Sequence, residues 1–362
     1  MTTPNWPVST SKMLRGALAL GSVLFVLLLL ELVLRALGTP HFSQQKLRTR
    51  YDGFAFVVAD ALPGESGPPH TSTHFYHYPA GHTWYTRYPD DPRGYFEVGA
   101  RVRYALNAEG FRGDDFPLEP TGFRVALVGD SITLGEGVHL DDTFGRRIER
   151  ALREIDPRSD VLNFGVNGFS TAHEAVMLER VVAPYEPDVV VLGYTLNDID
   201  GNPFGALNEE LEELSSSLPW IDSPSHAINF ISRPFWSRSV ANRHRDLMLS
   251  LYESDAWNTL ASQLGAMARL CRVRGWTLIA VVFPDLSFLG EPYAFDAIHR
   301  KLAALFGELG VTSIDLTAMF RERGAAELRV HAMDAHPNEI GHAFAADALM
   351  PVLAPLAKVR SP

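Results

Sequence analysis

Weakly to strongly apolar residues run without a break from Ala17 to Leu30 and resume at Leu32 to Leu34 after a single interruption at Glu31. Eighteen helical residues span about 27 Å, close to the roughly 30 Å hydrocarbon core of a bilayer. Lys12 and Arg15 precede the run, as in the first part of a secretory signal, and no small-x-small cleavage site follows before Arg35-Ala36-Leu37-Gly38. The pattern predicts an uncleaved transmembrane signal anchor over residues 17–37. A cleaved signal or a buried core helix is the alternative, favoured by Glu31, because a carboxylate within a bilayer is costly. Near the far end of the run, Glu31 can reach the interface. Charge does not fix the orientation, since Arg35, Lys46, Arg48 and Arg50 compete with Lys12 and Arg15.

The next stretch, residues 38–122, is rich in Pro, Gly, Tyr, His and Asp and shows little helical period. Short strand-like pieces at Phe54–Val58 and Arg101–Leu106 predict an irregular, β-containing segment packed on the main domain. From Arg124 the pattern becomes regular. Strands are predicted at Arg124–Val128, Asp160–Phe164, Asp188–Gly193, Trp276–Phe283 and Val311–Leu316. Helices are predicted at Thr143–Ile155, Thr171–Tyr185, Trp257–Arg274, Pro292–Leu309 and Pro337–Leu349. Five alternations of strand and helix predict an α/β fold, a doubly wound five-stranded parallel sheet covered on both faces. Residues 200–256 carry no clear strand and read as a helical insertion between the third and fourth strands.

Composition narrows the class. With 46% hydrophobic and 21% charged residues, the chain of 362 residues is globular rather than disordered or fibrous. A net charge of -11 and the lack of a long basic run argue against nucleic acid as a partner. The single cysteine, Cys271, excludes an intrachain disulfide and reads as a buried small apolar residue.

In doubly wound sheets, ligands bind beyond the carboxyl ends of the strands. After the first strand comes Gly129-Asp130-Ser131-Ile132-Thr133, with a serine in a tight strand-to-helix turn. After the second comes Asn163-Phe164-Gly165-Val166-Asn167-Gly168-Phe169-Ser170-Thr171, where the Gly168 N–H lies just before a helix start. After the third, Asn197-Asp198 offers a side-chain amide donor. After the fifth, Met333-Asp334-Ala335-His336-Pro337-Asn338 offers a base and an acid. Each alone has a bland reading as turn, cap or surface polarity. Together, four strand ends supply a nucleophile, oxyanion donors and a base pair, the set that acyl transfer requires.

The ordered blocks Gly-Asp-Ser-Ile-Thr, Asn-x-Gly-x-x-Gly-x-Ser-Thr, Asn-Asp and Asp-x-His-Pro-Asn resemble the SGNH/GDSL hydrolase family over roughly residues 122–355. The stretch Asn107–Gly113 and the anchor ending Glu31-Leu32-Val33-Leu34-Arg35 resemble a membrane-anchored bacterial branch of it. The resemblance implies a flavodoxin-like hydrolase domain over residues 123–355, with Ser131 as nucleophile and His336 as base. It also implies an oxyanion hole of Ser131 N–H, Gly168 N–H and the Asn197 side chain, and no cofactor or metal. The family's common spacing puts the acid three residues before the histidine, where this chain has Met333. Asp334, two residues before, resembles a known variant and takes the orienting role; a dyad held by a backbone carbonyl is the alternative. His331 and His342 read as bystanders, the latter on the last helix. A zinc site built from His331, Asp334, His336 and His342 would leave Ser131 and Asn197 without roles.

The implied activity is hydrolysis of small acyl esters, including O-acetyl groups on an envelope polysaccharide. The domain would face the extracytoplasmic side of an inner membrane, with residues 1–16 in the cytoplasm. An O-acyltransferase on the same carbohydrate, or an anchored binding module without turnover, are the competing readings. Trp220, Phe230, Phe235 and Trp236 of the insertion either shape an acceptor site or simply pack.

Overall fold

A computed structural model describes residues 8–37, 50–62, 74–199, 225–290 and 292–360. The chain divides into two compact units, residues 1–47 with 208–242 and residues 48–207 with 243–362.

In the first unit, helix α1 (Val8–Ala36) contains the apolar run. Its part Lys12–Ala36 contains an 18-residue window with a mean hydropathy of 2.7 and is long and apolar enough to cross a membrane. Leu20, Phe25 and Leu29 are exposed, whereas Leu34 is buried. Glu31 is paired where it stands: its carboxylate takes Arg35 Nε at 2.6 Å, and Ser225 Oγ and the Ala227 N–H at 2.8 Å each. Those donors offset the cost of a charge on an apolar helix. Of the aromatics noted in the insertion, Phe230 and Phe235 are exposed, and Trp220 lies outside the described residues.

The second unit begins with antiparallel pieces: β1 (Arg50–Asp52), β2 (Val57–Ala61), β3 (His74–His77), β4 (Thr83–Arg87) and β5 (Arg101–Ala105). They form a three-stranded sheet β1-β4-β5 and a two-stranded sheet β2-β3. The strand expected at Phe54–Val58 starts only at Val57. Phe54 instead packs its ring on Trp84 at 5.5 Å and on Tyr78 at 5.9 Å. Trp84 stacks on Tyr104 at 4.8 Å, and all three of Tyr78, Trp84 and Tyr104 are fully buried. The segment therefore contributes core, as its aromatic content allows.

The main sheet comes next along the chain. Its strands are β6 (Arg124–Gly129), β7 (Asp160–Asn163), β8 (Val189–Tyr194), β9 (Thr277–Val282) and β10 (Thr312–Asp315), all parallel, in the order β10-β9-β8-β6-β7. Numbered along the chain, that is the 2-1-3-4-5 order of flavodoxin-like sheets, with its switch point between β6 and β8. β6 and β8 are buried on both faces. Ala126, Val128, Val190 and Leu192 face one core cluster, and Val125, Leu127, Val189 and Val191 face the other. This two-residue alternation between two apolar layers is why both strands read as continuous hydrophobic runs.

The helices are α2 (Ser131–Leu134), α3 (Phe144–Ile155), α4 (Thr171–Met177), α5 (His226–Glu253), α6 (Asp255–Arg274), α7 (Asp296–Glu308), α8 (Thr317–Arg323), α9 (Ala325–Leu328) and α10 (Glu339–Arg360). A hairpin of β11 (Arg329–His331) and β12 (Asp334–Pro337) precedes α10. Two helices differ most from those read in the sequence. The helix expected over Thr171–Tyr185 is α-helical only to Met177 and then loosens into a π turn and a 3-10 turn around Pro184. The last helix starts after Pro337, which belongs to β12, and runs through Pro351 and Pro355 to Arg360. Each proline removes a helical hydrogen bond. Leu349, Leu353 and Ala357, all fully buried, hold that helix in the core. Cys271 is buried on α6, as expected.

Candidate active site

The turn after β6 is built around close approach. A Cβ on Gly129 or on Gly193 of the neighbouring strand would collide with Thr133 Oγ1, so both positions need glycine. Asp130 caps α2 by accepting the Ile132 N–H at 2.8 Å. Ser131 is thereby the first residue of a one-turn helix at the sheet's switch point, and its own N–H has no partner among the described residues.

The hairpin β11–β12 brings His336 to this turn. Ser131 Oγ lies 2.8 Å from His336 Nε2, and His336 Nδ1 lies 2.5 Å from Asp334 Oδ1. The same oxygen accepts the His336 backbone N–H at 3.0 Å, and Oδ2 accepts Tyr88 Oη–H at 2.9 Å. Serine, histidine and aspartate thus form one hydrogen-bonded chain, with the acid two residues before the histidine. Burial works against charge on both members of the acid–base pair, but their attraction prevails. Asp334 is held below its usual carboxylate range by His336 and Tyr88, and Asp334, helped by Glu136 and Asp130, pushes the His336 imidazole up to about 9.

Asn197, after β8, is oriented by Thr195, whose hydroxyl lies 2.7 Å from the amide oxygen, and its side chain also bonds Asp130. The Thr195 hydroxyl is within 3.0 Å of Asp130 Oδ2 and 2.9 Å of Asp198 Oδ1 as well. One hydroxyl carries one proton and so donates to one of these three acceptors at a time. Burial and the nearby Glu174 and Asp130 push the Asp198 carboxyl well above its usual range.

Gly168 has φ +75, a left-handed conformation suited to glycine, and is exposed. Its N–H has no partner among the described residues. The loop carrying it is bonded to the nucleophile turn through Asn163 Nδ2 to Thr133 O at 2.7 Å and Val166 N to Gly129 O at 3.1 Å. The preceding residue, Asn167, is gripped on three sides. Tyr76 Oη donates to its carbonyl at 2.6 Å, its N–H donates to Tyr78 Oη at 2.9 Å, and its amide donates to Glu136 at 2.9 Å.

Ser131, Asn197, Asp334 and His336 line one cavity of about 300 Å³, together with Tyr51, Met248, Leu286 and Met333. Gly168 is not among the residues that line it. His331 bonds Asp90 at 2.6 Å, and His342, on α10, accepts the Phe144 N–H at 3.2 Å inside the core. Among the described residues no group of three His, Cys, Asp or Glu side chains is placed to hold a metal.

Sequence reading missed the tyrosines. Tyr88, Tyr76 and Tyr78 stand 246, 91 and 89 residues from the groups they bond, and only the tyrosine-rich composition of the N-terminal segment hinted at them. Arg112 completes that attachment, donating to the carbonyls of Leu134, Gly135 and Val138 in the turn after α2 while lying over the Tyr104 ring.

Residues 127–344 match the GDSL-like Lipase/Acylhydrolase family. No curated protein matches the sequence. Similar solved structures include TesA (16% identity, 64% of this chain and 99% of that one, TM-score 0.41). Others are the acetyl xylan esterase AlAXEase (16%, 64% and 100%, 0.42) and a catalytic mutant of the acetylxylan esterase Axe2 from Geobacillus stearothermophilus (16%, 64% and 95%, 0.42).

Proposed function

This chain belongs to the GDSL-like Lipase/Acylhydrolase family and is an ester-bond hydrolase; from that premise we propose that it cleaves small acyl esters through an acyl-serine formed on Ser131. The observation that carries this reading is the 2.8 Å contact of Ser131 Oγ with His336 Nε2, backed by Asp334. Ser131 Oγ attacks the ester carbonyl while His336 takes its proton. The tetrahedral oxyanion collapses, the acyl–oxygen bond breaks, and His336 returns the proton to the departing alcohol. Water then repeats the sequence on the acyl-serine and releases the acid. Ser131 N–H, Gly168 N–H and the Asn197 amide are the oxyanion donors in this scheme. A cavity of about 300 Å³ has room for a small acyl group together with part of the alcohol.

The substrate we propose is an acylated carbohydrate of the cell envelope, whose sugar is the departing alcohol. The support is the apolar Lys12–Ala36 helix, which as a signal anchor would hold residues 123–355 at the extracytoplasmic face of an inner membrane. The test is labelling of the full chain with a serine-directed fluorophosphonate, with mapping of the modified peptide. Modification at Ser131 and release of free acetate from an acetylated glycan are expected. Label absent from Ser131 rejects the nucleophile, and acetate delivered to an added sugar in place of water identifies a transferase.

Two variants examine the support around the triad. Asn197→Ala is expected to lower kcat by about 10² to 10³, as for other lost oxyanion donors. Unchanged kcat on a chromogenic acetate would remove Asn197 from the hole. Tyr88→Phe deletes the hydroxyl bonded to the Asp334 carboxylate. Since a hydrogen bond to a charged group contributes about 1.5–3 kcal/mol, kcat/KM on the same ester should drop by about tenfold or more. Full activity would mean that the other bonds to Asp334 suffice.

A further inference from the structure

The same cavity carries a second histidine–carboxylate pair that the triad does not use. His244, near the end of α5, and Asp285, in the loop after β9, both line it. His244 Nε2 lies 3.1 Å from Asp285 Oδ2. The carboxylate is fixed from its other side, since Oδ1 accepts the Ser287 N–H at 2.7 Å and the Asp285 N–H donates to Tyr293 Oη at 2.9 Å. The ring of His244 packs beside Phe288 at 5.3 Å.

An ionised carboxylate only accepts, so the proton facing Asp285 belongs to Nε2. In the neutral ring Nδ1 is then an acceptor, and it has no partner among the described residues. The side chain of His244 is 20% exposed and that of Asp285 18% exposed. An imidazole held in one tautomer, partly out of water and open on one nitrogen, matches a ligand hydroxyl. Neutral, it accepts the O–H; protonated, it donates to the oxygen. An alkyl group would leave the nitrogen unpaired. The cavity wall is apolar at Leu196, Met248, Phe283 and Leu286 and carries further polar side chains at Tyr51, Thr195, Asn197 and Ser287.

We infer that His244, oriented by Asp285, binds a hydroxyl of the ester's alcohol part and so selects polyhydroxylated, sugar-like alcohols over alkyl ones. The inference rests on the acyl-serine reading above and deepens it by assigning part of the same cavity to the alcohol.

The experiment compares two acetate esters of similar size on the full chain in detergent: methyl 6-O-acetyl-glucoside and cyclohexylmethyl acetate. His244→Phe keeps a ring but removes both nitrogens. It is expected to lower kcat/KM for the glucoside by about tenfold, equivalent to about 1.4 kcal/mol, while cyclohexylmethyl acetate and the rate of phosphonate labelling at Ser131 change less than about twofold. His244→Asn, whose amide still meets a hydroxyl, should recover most of the glucoside activity. Equal losses on both esters, or an undiminished glucoside rate in His244→Phe, would overturn the assignment. If the unaltered chain takes no label at Ser131 and cleaves neither ester, the acyl-serine reading itself fails, and this inference with it.

Discussion

Ser131→Ala should abolish ester hydrolysis, with kcat down by about 10⁶, the scale seen when the nucleophile of a serine hydrolase is removed. The size comes from the arrangement. His336 Nε2 faces Ser131 Oγ at 2.8 Å, and no other hydroxyl is hydrogen-bonded to that nitrogen among the described residues. Without Oγ there is no acyl-enzyme, and only the oxyanion donors and the bound geometry remain. The backbone of the turn does not depend on the hydroxyl, because Asp130 caps α2 and the glycines at 129 and 193 set the close approach. The variant should therefore stay folded, with unchanged circular dichroism, while losing both turnover and phosphonate labelling. A residual rate above about 1% of the parent would assign the nucleophile elsewhere.

Asp334→Asn is the second large effect, a loss of about 10⁴ in kcat. An amide at 334 can donate to His336 Nδ1, which places the ring proton on Nε2, the atom that must accept from Ser131. A loss below tenfold would instead favour a dyad held by a backbone carbonyl. The pH dependence adds an independent sign. His336 acts as a base only when neutral, and Asp334 and the surrounding carboxylates push its pKa up to about 9 despite burial. For the parent enzyme kcat/KM should rise with pH and level off above about 9. With the neighbouring charge gone, burial dominates and favours the neutral ring. The weak residual activity of Asp334→Asn should therefore reach its plateau at lower pH. A pH profile left where it was in the variant would mean that Asp334 does not set the charge of His336.

Much of this architecture is legible in the sequence. The five strands of the main sheet lie within one or two residues of their sequence reading, since β6 and β8 are long apolar runs that only a doubly covered sheet accommodates. Gly-Asp-Ser at 129–131 can be placed at a strand end because the turn chemistry is local. The spacing of Asp334 and His336 is equally visible, and the pair meets across 2.5 Å within a single strand of a hairpin. Pro351 and Pro355 mislead in the other direction: local propensity ends a helix there, but burial of Leu349, Leu353 and Ala357 carries α10 on to Arg360.

By itself, then, the amino-acid sequence determined the α/β class, the apolar N-terminal helix and which strand ends carry reactive groups, because each depends on periodicity or on neighbours a few residues apart. Only the tertiary structure decided that Tyr88 bonds Asp334, that Tyr76, Tyr78 and Glu136 grip Asn167 beside Gly168, and that His244 and Asp285 share the cavity of Ser131. Those contacts join residues from 31 to 246 positions apart. Their geometry is set by how separate layers close over one another, and no short-range pattern along a chain encodes that closure.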